Sequence, residues 1–496
     1  MTTFYIEHFG CRATQADAAA IERQLLERGY ARAAAACAAD VVVVNTCTLT
    51  RDADAQARQA IRHAHRVNPD ARILVTGCYA QRAPEELAQL NGVSWVVGNS
   101  HKPEIPDLLE RGGLTPLSGA GARSREPGVE GGFVSVAALG ERRPPQGDYA
   151  KILTGDVFAQ AAVLVAPVLG GEGEHTRPIL KVQDGCNNRC AYCVIPFVRG
   201  RSRSLPPAQV VEEIRRLAAK GYKEVVLSGI NLGSYGRDLT PRIELDDLVR
   251  RILGETSLER LRISSIEPMD ITLDLVDLFA STNRIARHFH VPLQSGSDRI
   301  LAAMHRWYRA AHYARRIELI RERLPEAAIG ADVIVGFPGE TDADHRATVA
   351  LVEQLPFIYL HVFAYSERPG TAAAKLTSTV SPAVMKDRSR ELRALAAKKN
   401  AAFRAAHIGK MLRVLTLNKQ AMDESCSPGL QTRGISPQGN TPASEEAGYN
   451  PAVWTEALSD NYLKVRVRGS WPANALLDVR IEVDGGTYLL ATAAAS

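Results

Sequence analysis

No apolar run in this sequence reaches the ~18 residues that a membrane-crossing helix needs, so a span of that kind is excluded. Cysteine is scarce as well: eight in 496 residues are too few for a disulfide scaffold. In a reducing compartment, clustered cysteines more often bind metal or do chemistry. The opening residues, MTTFYIEHFG, carry neither a basic n-region nor an apolar core. No secretory signal is therefore expected, and the expected location is the cytoplasm, with no membrane partner. Neither sign of charge dominates, since 60 Lys+Arg less 55 Asp+Glu leaves +5. Hydrophobic residues at 45% and charged residues at 23% exclude wholesale disorder. What remains is a folded chain with room for roughly three domains at about 150 residues each.

Apolar runs at 4–6, 41–44, 73–75 and 95–97 alternate with helix-like segments near 15–29, 51–67 and 84–90. Such alternation predicts a small parallel sheet with crossover helices, here a domain over 1–112. Residues 113–174 turn rich in Gly, Pro and Ser, as in GGLTPLSGAGARSREPGVEGG, and read as a linker or insertion. Within it AAVLVAPVL has the composition of a strand or short helix. Six further strand candidates, at 179–182, 224–227, 261–264, 288–291, 329–335 and 358–363, are separated by helical patterns within 175–403. Six β–α units predict an α/β barrel, complete or partial; an open doubly wound sheet satisfies the same periodicity. After a basic helix-like stretch, the runs MLRVLTL, NYLKVRVRG, LLDVRIEV and TYLLATA predict a small all-β module over 405–496. A polar excursion at 419–452 interrupts it.

Six of the cysteines fall into two sets. Cys186, Cys190 and Cys193 form C-x3-C-x2-C in DGCNNRCAYCVIP. A tight loop brings three such thiolates to one soft metal centre. Structural zinc fits poorly, because zinc takes four ligands in paired spacing and no second pair follows. Three ligands suit a 4Fe–4S cluster with one iron left open to a substrate or cofactor. Cys11, Cys47 and Cys78 are dispersed, but each directly follows a predicted strand, in TFYIEHFGC, DVVVVNTC and RILVTGC. C-terminal strand ends line one edge of a parallel sheet, so the three converge there as a second metal site. Cys37 and Cys426 have no such placement and read as ordinary cysteines.

With FGC, NTC and TGC upstream of C-x3-C-x2-C and a small β-module downstream, the chain resembles the methylthiotransferases of the radical S-adenosylmethionine superfamily over nearly its whole length. The resemblance implies an α/β protein: an N-terminal parallel-sheet domain, a central partial (β/α) barrel of the radical S-adenosylmethionine type, and a C-terminal barrel like the RNA-binding TRAM domain. It implies two 4Fe–4S clusters. The Cys186/Cys190/Cys193 cluster would bind S-adenosylmethionine and cleave it to a radical; the Cys11/Cys47/Cys78 cluster would be auxiliary, carrying the sulfur that a second S-adenosylmethionine methylates. LSGINLGSYG, ISSIEP, HVPLQSGSD and DVIVGFPGE resemble the family's cofactor-facing segments, which assigns Gly229, Asn231, Ser265, Glu267, Gln294, Ser295, Asp332, Gly336 and Glu340 to cofactor binding. Tyr192 matches the aromatic position inside the cysteine loop, beside the adenine. SGS and FPGE equally fit turns that cap the next helix. No catalytic residue is assigned beyond the cluster ligands.

Family members act on adenosine beside the tRNA anticodon or on an aspartate of a ribosomal protein. NYLKVRVRG favours tRNA: Leu463, Val465 and Val467 face one way, and Lys464, Arg466 and Arg468 the other, as a basic stripe suited to phosphates. The preceding stretch adds Lys386, Arg388, Arg390, Arg393, Lys398, Lys399 and Arg404. NTCTLT, TGCYAQ, VVGNSHK and KVQDGCNNRCAYCVIP look like the branch that modifies C2 of N6-threonylcarbamoyladenosine, with N6-isopentenyladenosine the other tRNA substrate. A polar carbamoyl substrate calls for hydrogen-bonding groups in its pocket. The implied partners are the tRNA anticodon stem-loop, a reductant such as flavodoxin or ferredoxin, and a sulfur source. Two departures stand out: Thr14 where the family more often has Asn, and HRWY after Met304. The reading from a different class is a zinc-stabilised RNA-binding protein without catalysis.

Overall fold

The computed structural model describes residues 2–114, 150–159, 163–164, 166–168, 176–422 and 453–494. The bulk of the two expected insertions, and Cys426, lie outside the described residues. By contacts the chain divides into two compact units, 1–169 with 177–399, and 400–496 with 170–176. The first two expected domains thus form one unit.

The N-terminal sheet holds β1 (Thr3–His8), β2 (Ala31–Arg32), β3 (Val41–Thr46), β4 (Arg72–Gly77), β5 (Val93–Val97) and β6 (Lys151–Leu153), in the order β2-β1-β3-β4-β5-β6. All its pairings are parallel. The run VVVV at 41–44 shows why: Val41 and Val43 enter one apolar core with Ile21 and Leu25, while Val42 and Val44 enter another with Ile61 and Leu87. A strand buried on both faces belongs inside a parallel sheet covered by helices on each side. The crossover helices Arg12–Glu27 and Arg51–Val67 supply those covers, the second capped by the Thr50 side chain accepting from the Ala53 N–H. β6 corrects the sequence reading, since it adds a strand from the stretch expected to be a connector.

The central strands are β7 (Pro167–Val168), β8 (Ile179–Asp184), β9 (Arg203–Ser204), β10 (Glu224–Gly229), β11 (Arg260–Ile263), β12 (His288–His290), β13 (Ala328–Val335) and β14 (Tyr359–Ala364). β7 lies in the expected connector, within AAVLVAPVL. β8, β10 and β11 are parallel neighbours, as are β12, β13 and β14. Parallel bridges Leu261–Ile285 and Ser265–His290 join the two groups. Six strands therefore follow one another without the reversal of order that a doubly wound sheet requires, which settles the architecture as a partial (β/α) barrel. Leu180, Val225, Leu261, Phe289, Ile329 and Val362 pack outward in one core with Ile214, Val249, Val276, Ile317 and Val352 of the helices. Alternate residues consequently face inward. These are polar: Lys181, Gln183, Glu224, Arg262, His288, His290 and Asp332.

The second unit contains a closed barrel of β15 (Met411–Met422), β16 (Val453–Ser459), β17 (Lys464–Arg468), β18 (Leu476–Asp484) and β19 (Leu489–Ala493), ordered β15-β16-β17-β19-β18. Leu412, Val414, Val465, Val467, Val479 and Ile481 fill it. Among the described residues no helix is long and apolar enough to cross a membrane.

Candidate active site

Cys11 precedes the helix Arg12–Glu27 as its N-cap, Cys47 directly follows β3, and Cys78 opens a short helix, Cys78–Arg82, after β4. Because β1, β3 and β4 are adjacent, these are three neighbouring C-terminal strand ends. Gly10 reports how close they come. A Cβ there would lie 2.7 Å from the Cys47 sulfur, so only glycine, here at φ +99°, lets the two loops meet. Burial pushes the Cys47 thiol up to about 12, and the nearby Cys78 and Cys11 sulfurs push the same way. Three neighbouring sulfurs, two buried and the Cys11 sulfur partly exposed, none in a disulfide, suit a metal centre that displaces their protons. Thr14 makes the short contact its position requires, with its hydroxyl 3.5 Å from the Cys11 sulfur.

The second cysteine loop follows β8. It is fixed at both ends by backbone bonds, Cys186 N–H to the Gly200 carbonyl at 3.1 Å and Ala191 N–H to the Met304 carbonyl at 2.9 Å. Cys193 N–H closes back on the Cys190 carbonyl at 3.0 Å. Burial pushes Cys186 up to about 11 and Cys193 up to about 12, with Cys190 raising both further. The Asn188 N–H donates to the Cys186 sulfur at 3.4 Å, and Arg306 donates to the Cys190 sulfur at 3.2 Å. The three sulfurs act on one another, as ligands of one cluster would. Cys37 is exposed and far from this role.

Of the residues singled out in the sequence, the structure brings Tyr192, Asn231 and Glu267 to that loop, with Gly229 beside Gln183, the partner of Asn231. Asn231 reaches the Cys186 sulfur with Nδ2 at 3.9 Å, and its backbone N–H donates to Gln183 Oε1 at 2.8 Å. Asn231 Oδ1 and Ser264 Oγ are buried without a hydrogen-bond partner among the described residues. Orphaned buried oxygens of this kind fit a site completed by a polar cofactor. Gly229 is held against Gln183, where a Cβ would lie 2.9 Å from Oε1. Glu267 pairs with Arg306, and Tyr192 packs against Met304 and Phe337 within electrostatic reach of Arg306 and Cys190. Ser265 is exposed and bridges to His290. Gln294 adopts φ 65° and continues the sheet beside Val333.

Ser295, Gly336 and Glu340 have local tasks instead. Ser295 Oγ accepts from the Ser297 N–H at 3.2 Å, and Glu340 accepts from the Gly336 N–H at 2.7 Å and from Arg388 at 2.6 Å. A Cβ on Gly336 would overlap Met385. These contacts, through the Ser295 and Glu340 side chains and the Gly336 backbone, build the turn-and-cap structure that SGS and FPGE also fitted. The basic stretch is similarly occupied. Arg388 binds Glu340 and Asp342, Arg390 binds Asp387, Arg393 and Lys399 donate to backbone carbonyls, and Arg404 binds Asp484. Lys386 and Lys398 stay exposed. On β17 the expected alternation is present: Val465 and Val467 are buried, Lys464 and Arg468 exposed. Arg466 lies 3.8 Å over the Tyr488 ring.

Three groups escaped sequence reasoning in whole or in part. One is a hydrogen-bonded row on the inner face of β12–β14, of which the sequence singles out only Asp332, as a cofactor-binding residue. His288 and His290 each bond the Tyr359 hydroxyl at 2.9 Å, and Asp332 takes His290 at 2.9 Å and the exposed His361 at 3.2 Å. Burial alone would raise the Asp332 carboxyl, but these two histidines bring it down to about 2. A second group sits behind Cys47, where Asp54 binds Arg82 at 3.1 Å and Arg368 at 2.6 Å. The third is a buried charge network around Asp17, Asp184 and Arg199. Strand-end cysteines carry a local signal; these partners are joined only by the fold.

Residues 180–352 match the Radical SAM superfamily, and residues 3–98 match Uncharacterized protein family UPF0004. Threonylcarbamoyladenosine tRNA methylthiotransferase MtaB of Aquifex aeolicus (strain VF5) is 38% identical over 84% of this chain and 93% of the relative. The protein of the same name in Bacillus subtilis (strain 168) is 36% identical, with 80% of each covered. tRNA-2-methylthio-N(6)-dimethylallyladenosine synthase of Syntrophus aciditrophicus (strain SB) is 33% identical over 86% of each. Among solved structures, radical S-adenosylmethionine methyltransferase TsrM from Kitasatospora setae shares the fold, with TM-score 0.50, 17% identity and 73% of each chain covered.

Proposed function

The chain belongs to the tRNA methylthiotransferases of the radical S-adenosylmethionine superfamily, and from that premise we propose that it adds a methylthio group to C2 of N6-threonylcarbamoyladenosine beside the anticodon. One observation from the fold favours this substrate over an isopentenyl adenosine. The inner face of β12–β14 presents His290, Asp332, Tyr359 and His361 as a polar, hydrogen-bonded row. A carbamoyl and carboxylate substituent finds donors in its histidines and tyrosine, whereas an isopentenyl chain would make no hydrogen bond to the row.

S-adenosylmethionine and 4Fe–4S clusters supply, when bound, the radical, the methyl group and the transferred sulfur, chemistry that no side chain can provide. Cys186, Cys190 and Cys193 would hold one cluster, and Cys11, Cys47 and Cys78 the other. Asn231 and Arg306 orient sulfurs of the first set. Thr14, Asn99 and Arg199 orient sulfurs of the second. Glu267 pairs with Arg306 beside the first site; burial works against the Arg306 proton, but Glu267 together with Tyr308, Tyr192 and Cys190 outweighs it, so the guanidinium stays charged. The reading also needs an electron donor of the flavodoxin or ferredoxin kind and a sulfur source.

The test is mass spectrometry of tRNA nucleosides from a host lacking its own enzyme, with and without this gene. Appearance of 2-methylthio-N6-threonylcarbamoyladenosine is expected. The isopentenyl product instead would overturn the substrate, and unmodified tRNA beside methylthiolated ribosomal protein would overturn the tRNA reading.

The C-terminal barrel, which resembles a TRAM domain, supports tRNA binding through Lys464 and Arg468, the two exposed cations of β17. Replacing both with glutamate is expected to weaken tRNA binding and to reduce the slope of log K against log salt by about 2. S-adenosylmethionine cleavage without tRNA should be unchanged. An unaltered salt slope would remove these residues from the RNA interface.

A further inference from the structure

Arg199 ends the short helix Ile195–Arg199, six residues past Cys193, yet it reaches across to the other cysteine set. Its Nε–H donates to the Cys78 sulfur at 3.2 Å. Its terminal nitrogens bind Asp184 at 2.9 Å and Asp17 at 2.9 Å. Asp17 also takes Lys102 at 2.8 Å and Lys181, and Lys181 binds Asp184 at 2.8 Å. All five side chains are at most 10% exposed. With Arg203 a further buried cation 4.0 Å from Asp184, four cations face these two carboxylates, leaving positive charge in excess in a region shut off from water.

Excess charge in a low-dielectric interior needs a counter-charge. Cys78, against Arg199, supplies one when it is a thiolate bound to metal. On the reading that Cys11, Cys47 and Cys78 hold the auxiliary cluster, we propose that Arg199 is a positioning residue for that cluster. It fixes Cys78 by the N–H···S bond, and the network it anchors raises the cluster's reduction potential. Reduction adds negative charge to the cluster, and a donor on the sulfur together with an unbalanced cation beside it stabilises that form. At the end of the short helix that follows Cys193, Arg199 also ties the two cysteine loops together.

The experiment uses the full chain with Cys186, Cys190 and Cys193 replaced by alanine, so that only the auxiliary cluster gives a signal. Its potential is measured by redox titration followed by electron paramagnetic resonance, alongside iron and sulfide content. Arg199→Met should shift the potential downward, and Arg199→Lys should lie nearer the parent. Lys102→Met removes a charge without touching the sulfur and leaves Asp17 its Lys181 and Arg199 partners, so it should fold and shift the potential the same way, by less. If Arg199→Met cannot hold iron, Lys102→Met decides. An unchanged potential in Lys102→Met at parental iron content overturns the proposal. A parent that binds no iron and sulfide overturns the cluster assignment itself, and the proposal with it.

Discussion

Cys190→Ala is expected to reduce both S-adenosylmethionine cleavage and methylthiolation to background, whereas Cys78→Ala should abolish methylthiolation and leave cleavage measurable. The asymmetry follows from where each sulfur sits. Cys190 belongs to the loop pinned between Gly200 and Met304, beside Arg306 and Asn231, the side of the molecule with the orphaned oxygens of Asn231 and Ser264. With only three ligands for that cluster, losing one leaves two, too few to retain an iron–sulfur core. Cys78 belongs to the other set, so its loss removes a ligand of the cluster proposed to carry the transferred sulfur without removing the centre proposed to cleave the cofactor. Cys37→Ala is the control: Cys37 is exposed on the turn Ala36–Ala38 and should change neither activity. Anaerobic assays of 5′-deoxyadenosine and of methylthiolated tRNA separate the two steps. Cleavage surviving in Cys190→Ala would falsify the division of the cysteines.

Both cysteine sets were legible in the sequence because the signal is local. A strand buried on both faces reads as a continuous apolar run such as VVVV, and the residue after it lands on the sheet's active edge whatever the distant chain does. The six central strands stood out through apolar residues recurring between helical patterns, although their inward residues are polar. Lys151–Leu153 did not, since three residues beside β5 carry too little pattern to rise above the Gly- and Pro-rich stretch before them. The inner-face groups were hidden in another way. Arg199 and Asp17 are 182 residues apart, and His361 meets Asp332 only because β13 and β14 pair in register. The basic stretch before the barrel is partly engaged within the fold. Its charge is real, but Arg388, Arg393 and Arg404 are used to hold neighbouring segments. Arg306 shows the same limit: HRWY looked like a departure from pattern, and only the fold reveals that its arginine reaches Cys190.

The inner row offers the sharpest test of substrate choice. His361→Phe is expected to lower kcat/KM on N6-threonylcarbamoyladenosine tRNA by about 10²-fold, and to lower it much less on tRNA carrying N6-isopentenyladenosine. A hydrogen bond to a charged substituent contributes about 1.5–3 kcal/mol, and about 1.4 kcal/mol is a factor of ten in rate. The substitution should be tolerated by the fold. His361 is more than half exposed, its ring already lies edge-on to Phe363 with centroids 6.4 Å apart, and Asp332 keeps His290 as a partner. A phenyl ring would keep that packing while removing the donor, and an apolar substituent would lose nothing by the change. S-adenosylmethionine cleavage without tRNA reports on the cofactor site and should stay at the parental rate. Equal losses on both tRNAs would mean that His361 supports the site generally. No loss on either would take this face out of substrate recognition, even with the threonylcarbamoyl product confirmed in cells. The preferential loss alone ties the polar row to the substituent on N6.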